Sequence, residues 1–444
     1  MSEPARRGES PILSVIIPTR ERSAYLNHCV RSALAVPSED IEVIVSDNAS
    51  NDDTRAVVDG FDDKRLVYAN PGVRIPMYDN FEFALGKSRG RYLTFIGDDD
   101  AVLPAGILRL IDLLCRESPE VVNWPLPGYV WPGAANGVEG LLTLKPTHIQ
   151  GGKSIIDSRH LLDTLAQGSN ASYRFGGARI YHGCVARHVV DDAIARTGSY
   201  FFVPWPDVGG SIVNLFVTRN ITVLGEPCTL AGESPASSGR SLRFQEKQRA
   251  EQTNPFAQFI HENQERSHAV SVDARIRPIS ALTFLTLLET IRRMGAEQNL
   301  HVNVQAWLTM MESELAAMPE PARTEQADIV DSGLQVFRLP GVDRAWSRKR
   351  KSKRARVHSP VRSHRLLPNR ICIVSRPGLC GNVFQAAQLA DRILSTKTVE
   401  KPKGRIALAA AWVGALVRAR QLLSRRSLRE SPSSRFLRET AGLE

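Results

Sequence analysis

Three consecutive carboxylates, Asp98, Asp99 and Asp100 (the Asp triplet), are the residues of this sequence with the most evident chemistry. They follow an apolar, β-prone run that ends at Gly97, and Pro104 and a helical pattern come next. Adjacent carboxylates repel one another, and a cation among them relieves the repulsion. Carboxylate oxygens suit Mg²⁺ or Mn²⁺, which often share substrate phosphates. The alternative is an acidic turn that acts as a solvated helix N-terminus.

The elements that would position these carboxylates alternate between strand and helix. Apolar strand candidates cover residues 12–17, 41–45, 65–68 and 92–96, with helical periodicity between them. The first two strands are near-continuous apolar runs, as expected for strands buried on both faces. The alternation predicts an α/β fold with a doubly wound, mostly parallel sheet.

Polar residues follow three of these strands where each strand ends. Thr19 follows the first strand, Asp47 the second and the Asp triplet the fourth. Ligands of such sheets bind beyond the carboxyl ends of the strands, so these residues are expected to converge on one crevice. Neither glycine-rich phosphate motif, G-x-x-x-x-G-K-[ST] or G-x-G-x-x-G, follows the first strand. A metal would therefore have to neutralise bound phosphates. The expected convergence of the three polar clusters favours the metal site over the acidic turn.

Three motifs, in this order, resemble the nucleotide-sugar site of the family-two glycosyltransferases with the GT-A fold. They are Val15–Arg20, Val45–Ser50 and Gly97–Asp100, and the resemblance covers about Ser10 to Gly239. It implies transfer of a sugar from a nucleotide-diphosphate donor, expected to be a UDP-sugar, to a hydroxyl acceptor on a glycan, lipid-linked or other molecule. Inversion at the sugar carbon and a place in polysaccharide or glycan biosynthesis are expected with it.

The resemblance also implies roles for individual residues. Pro18, Thr19 and Asp47 would contact the nucleoside, and Arg20 belongs to the same donor-binding loop. The Asp triplet would bind Mg²⁺ or Mn²⁺ on the diphosphate, with Asp98 also serving the donor.

One position departs from the family pattern. Many members carry Ala-Arg-Asn in the helix before the acidic cluster, whereas here Asp79 precedes Asn80. Arg74, in the loop before that helix, is expected to supply the missing cation to the donor.

Two residues further along are candidates on the acceptor side. Asp207 precedes an apolar helical run, where Asp is a favoured N-cap worth about 1 kcal/mol. The resemblance instead makes Asp207 the catalytic base that deprotonates the acceptor hydroxyl. His182 lies in a segment similar to the acceptor-side strand of the family, where it would either touch the acceptor or diphosphate or be a structural histidine.

Charge and periodicity divide the chain into three predicted parts: a GT-A domain at 10–239, a helical appendage at 240–340 and a basic tail at 341–444. The tail has 24 Lys/Arg against 6 Asp/Glu, a net charge of +18, and is predicted to be partly disordered. Within it, residues 406–423 suit either an amphipathic helix on an anionic membrane surface or a helix docked on the body. A nucleic-acid partner is not expected, because no aromatic interleaving accompanies the basic run.

The six cysteines are scattered, with no C-x-x-C pair, which is typical of buried thiols in a reducing compartment. Residues 1–10 are polar, and no apolar run approaches the roughly 18–20 residues needed to span a bilayer. We therefore expect a cytoplasmic protein, at most located at the inner face of the membrane.

Two other functions remain open from the sequence. A nucleotidyltransferase acting on a sugar phosphate usually needs a glycine-rich loop after the first strand, and residues 18–22 contain no glycine. A non-catalytic membrane or nucleic-acid binding protein would use the basic tail, and the intact Asp triplet counts against it.

Overall fold

A computed structural model describes residues 10–134, 140–168, 177–237, 260–261, 271–297, 299–339, 365–375, 379–394 and 405–423. The strands in chain order are β1 Leu13–Thr19, β2 Ile41–Asp47, β3 Leu66–Ala69, β4 Tyr92–Phe95, β5 Ala101–Val102, β6 Val121–Asn123, β7 Gly128–Val130, β8 Leu141–Leu144, β9 Lys153–Asp157, β10 Gly183–Ala186, β11 Asn220–Leu224, β12 Thr229–Glu233, β13 Arg365–Leu367 and β14 Arg370–Val374. The helices are α1 Ser23–Leu34, α2 Thr54–Asp59, α3 Met77–Lys87, α4 Pro104–Glu117, α5 Ser158–Ala166, α6 Arg187–Thr197, α7 Pro206–Val217, α8 Ile279–Met294, α9 Val304–Ala316, α10 Ala322–Val336, α11 Val383–Leu394 and α12 Arg405–Leu423.

The first sheet has eight strands in the order β3-β2-β1-β4-β10-β6-β11-β9. Strands β1 to β4 are parallel, as predicted, because a helix crosses over between each pair. Strand β10 runs antiparallel to both β4 and β6, and β9 runs antiparallel to β11. The predicted α/β fold with a mostly parallel sheet is confirmed, and its inner strands are buried on both faces.

The parallel register brings the predicted polar residues to one edge of this sheet. Thr19 pairs with Asp47 across β1 and β2, and Ile16 pairs with Phe95 across β1 and β4. Thr19 and Asp98 each lie three residues beyond that second pair. They therefore leave the sheet at the same level, which is the physical basis of the crevice.

A second sheet of six strands, in the order β13-β14-β8-β7-β12-β5, lies beside the first. Its edge strand β5 begins directly after the Asp triplet. The residues buried under it form a separate hydrophobic core, which includes Leu103, Trp131, Leu142, Leu230, Ile373, Val383, Ile393 and Trp412. The sequence analysis did not predict this sheet, because its strands are short and come from distant parts of the chain.

Three helices, α8 to α10, lie in the segment that was predicted to be a helical appendage. Helix α8 is buried along most of its length and packs on α7 and α6. Its buried carboxylate, Glu289, accepts hydrogen bonds from Arg292, Arg293 and Ser271. The core of the first sheet continues into α8 through Phe284 and its neighbours, so these helices extend that core.

The described residues of the predicted tail are folded onto the body. Strand β14 pairs with β8, and α11 contacts α1, α4, β5 and β12. In α12 the indole nitrogen of Trp412 donates to the Pro368 carbonyl over 2.7 Å, and Arg418 donates to the Ile393 carbonyl over 2.8 Å. Helix α12 also packs on residues 146–149 of the body, so the docked alternative for residues 406–423 describes the structure. The boundary at 341 stays a prediction, since it lies outside the described residues.

No helix in the described part of the chain is long and apolar enough to cross a membrane.

Candidate functional site

The loop after β1 and the loop after β2 form one wall of the crevice. Asp47 is buried and accepts hydrogen bonds from the Ser50 amide at 3.0 Å and the Tyr68 hydroxyl at 2.7 Å. These bonds fix its carboxylate at the end of β2. The Thr19 hydroxyl donates to Asp98 Oδ2 over 2.7 Å, and thus contacts the Asp triplet. Thr19 therefore joins the donor loop to the Asp triplet, whereas Asp47 is held by its own side of the sheet.

Arg22 is a half-buried partner of the triplet that the sequence analysis missed. Its Nη1 donates to Asp98 Oδ1 over 3.0 Å, and its Nη2 donates to the Ala236 carbonyl. Burial lowers the pKa of Arg22, but Asp98 and Asp99 raise it by more, so the pKa lies above its ordinary value. Arg22 is thus a permanent positive charge beside the triplet. The only sequence signal was its place in the loop after the first strand.

The three carboxylates of the triplet point into different networks. Asp99 Oδ2 accepts from the Ser234 amide at 3.1 Å and from the Ser237 hydroxyl. Burial raises the pKa of Asp99 to about 6, with a further contribution from Asp100 and an opposing one from Arg22. Residues 234–237 therefore lie against the triplet and form a second wall of the crevice.

Asp100 is the most heavily hydrogen-bonded of the three. Its Oδ2 accepts from the Gly97 amide at 2.6 Å and the Tyr181 hydroxyl at 2.9 Å, and lies 3.0 Å from His182 Nε2. Its Oδ1 accepts from the Gly232 amide at 2.7 Å. Amides and hydroxyls therefore relieve much of the charge repulsion that the sequence analysis assigned to a metal ion.

His182 has both ring nitrogens engaged. The Trp124 indole donates to the Thr229 hydroxyl at 2.8 Å, and that hydroxyl lies 2.9 Å from His182 Nδ1. A hydroxyl that accepts one hydrogen bond can donate its own proton to the imidazole, which favours the tautomer with hydrogen on Nε2, facing Asp100. His182 also has a left-handed backbone, with φ 51°. The geometry is that of a residue that positions Asp100, which corresponds to the structural alternative.

The oxygen ligands of the triplet fit a divalent ion in one arrangement. A carboxylate offers about four lone-pair sites, so Asp98, Asp99 and Asp100 each keep some beyond their hydrogen bonds. Among the described residues, however, no group of three or more His, Cys, Asp or Glu side chains is arranged to hold a metal. The site therefore suits an ion held by one or two carboxylates together with substrate phosphates, which is the usual mode of Mg²⁺. It does not form an all-protein cage.

Asp207 is the second residue of α7, after Pro206. The N-cap position belongs to Trp205, so the predicted N-cap role of Asp207 is wrong. A carboxylate in the first helical turn is still stabilised by the helix dipole. Burial and the triplet raise the pKa of the Tyr181 hydroxyl well above its ordinary value, and Asp207 adds to that effect. Asp207 is therefore close enough to Tyr181 to act on its hydroxyl, and its side chain is partly exposed.

Arg74 lies at the rim of the crevice. It forms an ion pair with Glu21, and its Nε donates to the Ala49 carbonyl at 3.4 Å. Glu21 and Ala49 both have left-handed backbones, with φ 53° and 51°. Arg74 thus ties together the loops after β1 and β2. Asn80, by contrast, is buried and bonds to the Ser46 side chain over 2.9 Å, which stabilises the end of β2.

Comparison with known proteins shows which family the N-terminal part of the chain is similar to. Residues 14–176 match the model of glycosyl transferase family 2. The chain is 36% identical over 104 residues to the GalNAc(5)-diNAcBac-PP-undecaprenol beta-1,3-glucosyltransferase of Campylobacter jejuni, a match that covers 23% of this chain and 34% of that protein. It is 29% identical over 107 residues to an uncharacterised glycosyltransferase of Rickettsia prowazekii, covering 24% and 32%. The chain thus spans about a third of the length of these relatives.

Among solved structures, residues 1–349 of TarS from S. aureus give a TM-score of 0.40 at 16% identity, covering 73% of this chain and 91% of that one. The mannosyltransferase PcManGT from Pyrobaculum calidifontis, in complex with GDP-Man and Mn²⁺, gives 0.34 at 14% identity, covering 74% and 88%. The family resemblance of the three sequence motifs is confirmed by the family match, because all three motifs lie within residues 14–176, which match the model of glycosyl transferase family 2.

Proposed function

We propose that this protein is a glycosyltransferase that moves a sugar from a nucleotide-diphosphate donor, a UDP-sugar, to a hydroxyl acceptor with inversion. The observation that carries the proposal is the crevice at the ends of β1, β2 and β4. Thr19, Arg22 and the Asp triplet meet there, within a domain of the glycosyltransferase family. The nucleotidyltransferase alternative has less support, because the loop at 18–22 lacks the glycines that it would use.

The nucleoside would lie between the loops after β1 and β2. Pro18 and Thr19 end β1, Arg20 begins the loop after it, and Asp47 ends β2. Arg74 at the rim would face the diphosphate or the nucleoside once its contact with Glu21 opens. The Asp98 carboxylate, fixed by Thr19 and Arg22, would orient the donor on its sugar side.

The Asp triplet would hold Mg²⁺ or Mn²⁺ together with the donor diphosphate. Such an ion neutralises charge on the departing nucleotide diphosphate. Arg22 adds a fixed positive charge beside the same carboxylates. Because the ion would share its ligands with the phosphates, we expect the protein alone to bind it weakly and the protein–nucleotide complex to bind it tightly.

Asp207 would take the proton from the acceptor hydroxyl. The hydroxyl oxygen then forms a bond to the anomeric carbon, from the face opposite the nucleotide, as the bond from that carbon to the diphosphate oxygen breaks. Asp207 lies in the first turn of α7, where the helix dipole favours a negative charge. The carboxylate form is the form that can accept a proton.

The acceptor is expected to be a glycan or a lipid-linked sugar. The C. jejuni relative is described as acting on an undecaprenol-linked acceptor, and it is 36% identical over the matched 104 residues. All six cysteines are free thiols, which fits a reducing cytoplasm. We therefore place the reaction in the cytoplasm, at the inner face of the membrane, in glycan or polysaccharide biosynthesis.

The outer face of α12 would contact an anionic membrane surface. Val413 is 56% exposed and Val417 is 48% exposed, one helical turn apart. Residues 401–429 contain eight Lys/Arg and no Asp/Glu. Replacing Val413 and Val417 with Ser should reduce co-sedimentation with anionic vesicles, whereas Val336→Ser, at an exposed position on α10, should not. Equal co-sedimentation of the double variant and the wild type would exclude this face as the contact.

Calorimetric titration with UDP-glucose, UDP-GlcNAc and GDP-mannose, with and without Mn²⁺, tests the donor site. We expect one donor to bind much more tightly with the ion, and radiolabelled sugar from that donor to be transferred. Asp99→Asn should remove most of the ion dependence and turnover while the fold persists. The matched control is Asp192→Asn, since that carboxylate is on the exposed surface of α6 and pairs only with Arg196 among the described contacts. Normal turnover and ion dependence in Asp99→Asn would overturn the metal assignment.

A further inference from the structure

The second sheet connects the Asp triplet to a distant part of the sequence. Strand β5 follows Asp100 directly and pairs with β12, β12 pairs with β7, β7 with β8, and β8 with β14. Strand β14 and helix α11, with β13, form what we call the C-terminal layer, residues 365–375 and 379–394. These residues lie outside the span 14–176 that matches the glycosyltransferase family.

On the crevice side, the second sheet holds the triplet by its backbone and its side chains. The Trp131 indole donates to the Asp99 carbonyl oxygen over 2.8 Å. The amides of Gly232 and Ser234 donate to the carboxylates of Asp100 and Asp99. A displacement of β7 or β12 would therefore move both carboxylates.

On the opposite side, the C-terminal layer fixes that same sheet. The Tyr129 hydroxyl donates to the Cys380 carbonyl over 2.7 Å, and the Tyr129 ring meets Trp131 edge-on at 5.6 Å between centroids. A continuous set of contacts thus runs from Cys380 through Tyr129 and Trp131 to Asp99.

A second connection reaches the helix that follows the triplet. Asp391 Oδ2 on α11 accepts from the Ala105 amide, in the first turn of α4, over 3.2 Å. This amide has no partner inside its own helix, as is general for the first turn. Arg109 of the same helix pairs with Glu226 at 2.7 Å, just before β12. Helix α4 therefore begins between the C-terminal layer and β12.

We propose that the C-terminal layer is a positioning part of the donor site, acting on the Asp triplet through Trp131 and β12, with Asp391 as its positioning residue. The expected effect on donor binding rests on the proposed function. Its structural part, that Asp391 helps to position a triplet about 290 residues earlier in the chain, can be measured without any donor.

Asp391 allows a test with a conservative rescue. Asp391→Asn keeps an oxygen that can accept from the Ala105 amide, and Asp391→Ala does not. We expect Asp391→Ala to weaken donor binding about fivefold, the effect of one lost hydrogen bond, and Asp391→Asn to bind within about twofold of wild type. Hydrogen exchange at residues 97–105 and 229–234 should become faster in Asp391→Ala only.

Trp131→Phe tests the crevice side with a matched control. It removes the indole donor to Asp99 but keeps a ring against Tyr129 and Tyr25. Trp307→Phe in α9 makes the same change at a buried indole whose nitrogen has no hydrogen-bond partner among the described residues. Trp131→Phe should lose donor affinity and protection at residues 97–105, and Trp307→Phe should lose neither.

The outcomes separate the two proposals. If wild-type protein binds no nucleotide sugar, the proposed function fails, and the exchange data alone decide the positioning role. Unchanged exchange at residues 97–105 and 229–234 in both Asp391→Ala and Trp131→Phe would overturn that role. Equal losses in Asp391→Ala and Asp391→Asn, or in Trp131→Phe and Trp307→Phe, would also overturn it, because they would show general destabilisation instead of positioning.

Discussion

Arg22 and Asp98 form an ion pair inside the crevice. The side chain of Asp98 is 2% exposed and that of Arg22 is 19% exposed, so neither charge is fully solvated. A buried pair of this kind is costly to break from one side, because the remaining charge loses its partner. Arg22, amides and hydroxyls therefore balance much of the charge of the triplet, and under the proposed function a metal ion would be needed when a diphosphate brings further negative charge.

Replacing Asp207 with Asn tests the catalytic base at the residue scale. The change keeps the size of the side chain and removes its ability to take a proton. A positioned general base contributes about 10²–10⁴-fold to rate, so turnover should fall by about that factor. Donor affinity and melting temperature should change little, because Asp207 is not the N-cap of α7. Sugar transfer and thermal unfolding of the purified variant measure both quantities.

The control for Asp207→Asn is Asp191→Asn on α6, a helix that carries no predicted site residue. Transfer within about threefold of wild type in Asp207→Asn would reject the base. A change of His182 would not be a clean substitute test, since both of its ring nitrogens hold other side chains in place.

Strand β12 passes so close to the triplet that its residue at 232 must be glycine. A Cβ built at Gly232 would lie 1.7 Å from the Asp99 carbonyl oxygen, well inside contact distance. Gly232→Ala should therefore displace β12 or the Asp99 backbone, lower the melting temperature and abolish tight donor binding. Calorimetry and thermal unfolding of the variant measure the two effects.

Gly86→Ala is the matched control for Gly232→Ala. Gly86 lies in α3, and an added Cβ there meets nothing within 4 Å. Because alanine is the better helix former, this change should raise stability by up to about 1 kcal/mol. A Gly232→Ala protein that binds donor like Gly86→Ala would show that β12 can move without consequence.

The short 3-10 helix Pro146–Ile149 carries a histidine that should make stability depend on pH. Burial, with a smaller contribution from Lys145, lowers the pKa of His148 to about 4, and its Nδ1 accepts from the Lys145 amide at 3.1 Å. The folded state therefore prefers the neutral ring. Its stabilising contribution is complete above the unfolded pKa of about 6.5 and is lost as pH falls towards 4, by about 3 kcal/mol.

Denaturant unfolding between pH 7 and pH 4 measures this contribution. In His148→Asn the side-chain oxygen can replace Nδ1 as the acceptor without titrating in this range, so the acid-induced loss of free energy of unfolding should be smaller. His160→Asn is the control, because His160 is exposed at the surface of α5. Identical pH profiles for wild type and His148→Asn would contradict the assignment.

At the scale of the whole molecule, the two hydrophobic cores predict the effect of truncation. The second core contains Leu142 and Leu144 from the middle of the chain and Ile371, Ile373 and Val383 from the C-terminal layer. Ending the chain at residue 339 would leave the first group uncovered. We expect a protein that aggregates or melts at much lower temperature, because large exposed apolar patches favour association.

A second truncation tests the positive charge of the last 21 residues without removing any described residue. Ending the chain at residue 423 keeps all of the described contacts. It removes five Lys/Arg residues. This protein should keep its melting temperature and donor affinity and lose part of its affinity for anionic vesicles. Size-exclusion chromatography and thermal unfolding compare the two truncations. A soluble, donor-binding protein ending at 339 would show that the second core is dispensable.

The sequence by itself determined the features that depend on local pattern. Periodicity and composition located β1, β2 and β4 with their crossover helices, since both-face burial requires continuous apolar strands. The parallel sheet then required the ends of those strands to meet, which placed Thr19 beside Asp98. The three motifs were sufficient to identify the family whose model matches residues 14–176.

Only the tertiary structure decided which groups surround the triplet. Arg22, Trp131 and Gly232 reach it from loops and strands whose sequences have no distinctive local pattern. The N-cap of α7 was misplaced by two residues for a similar reason: Pro206 can begin a helix as well as precede one. The C-terminal layer folds because β14 pairs with β8, more than 200 residues earlier. Such long-range pairing depends on the shape of the assembled core, which local periodicity does not encode.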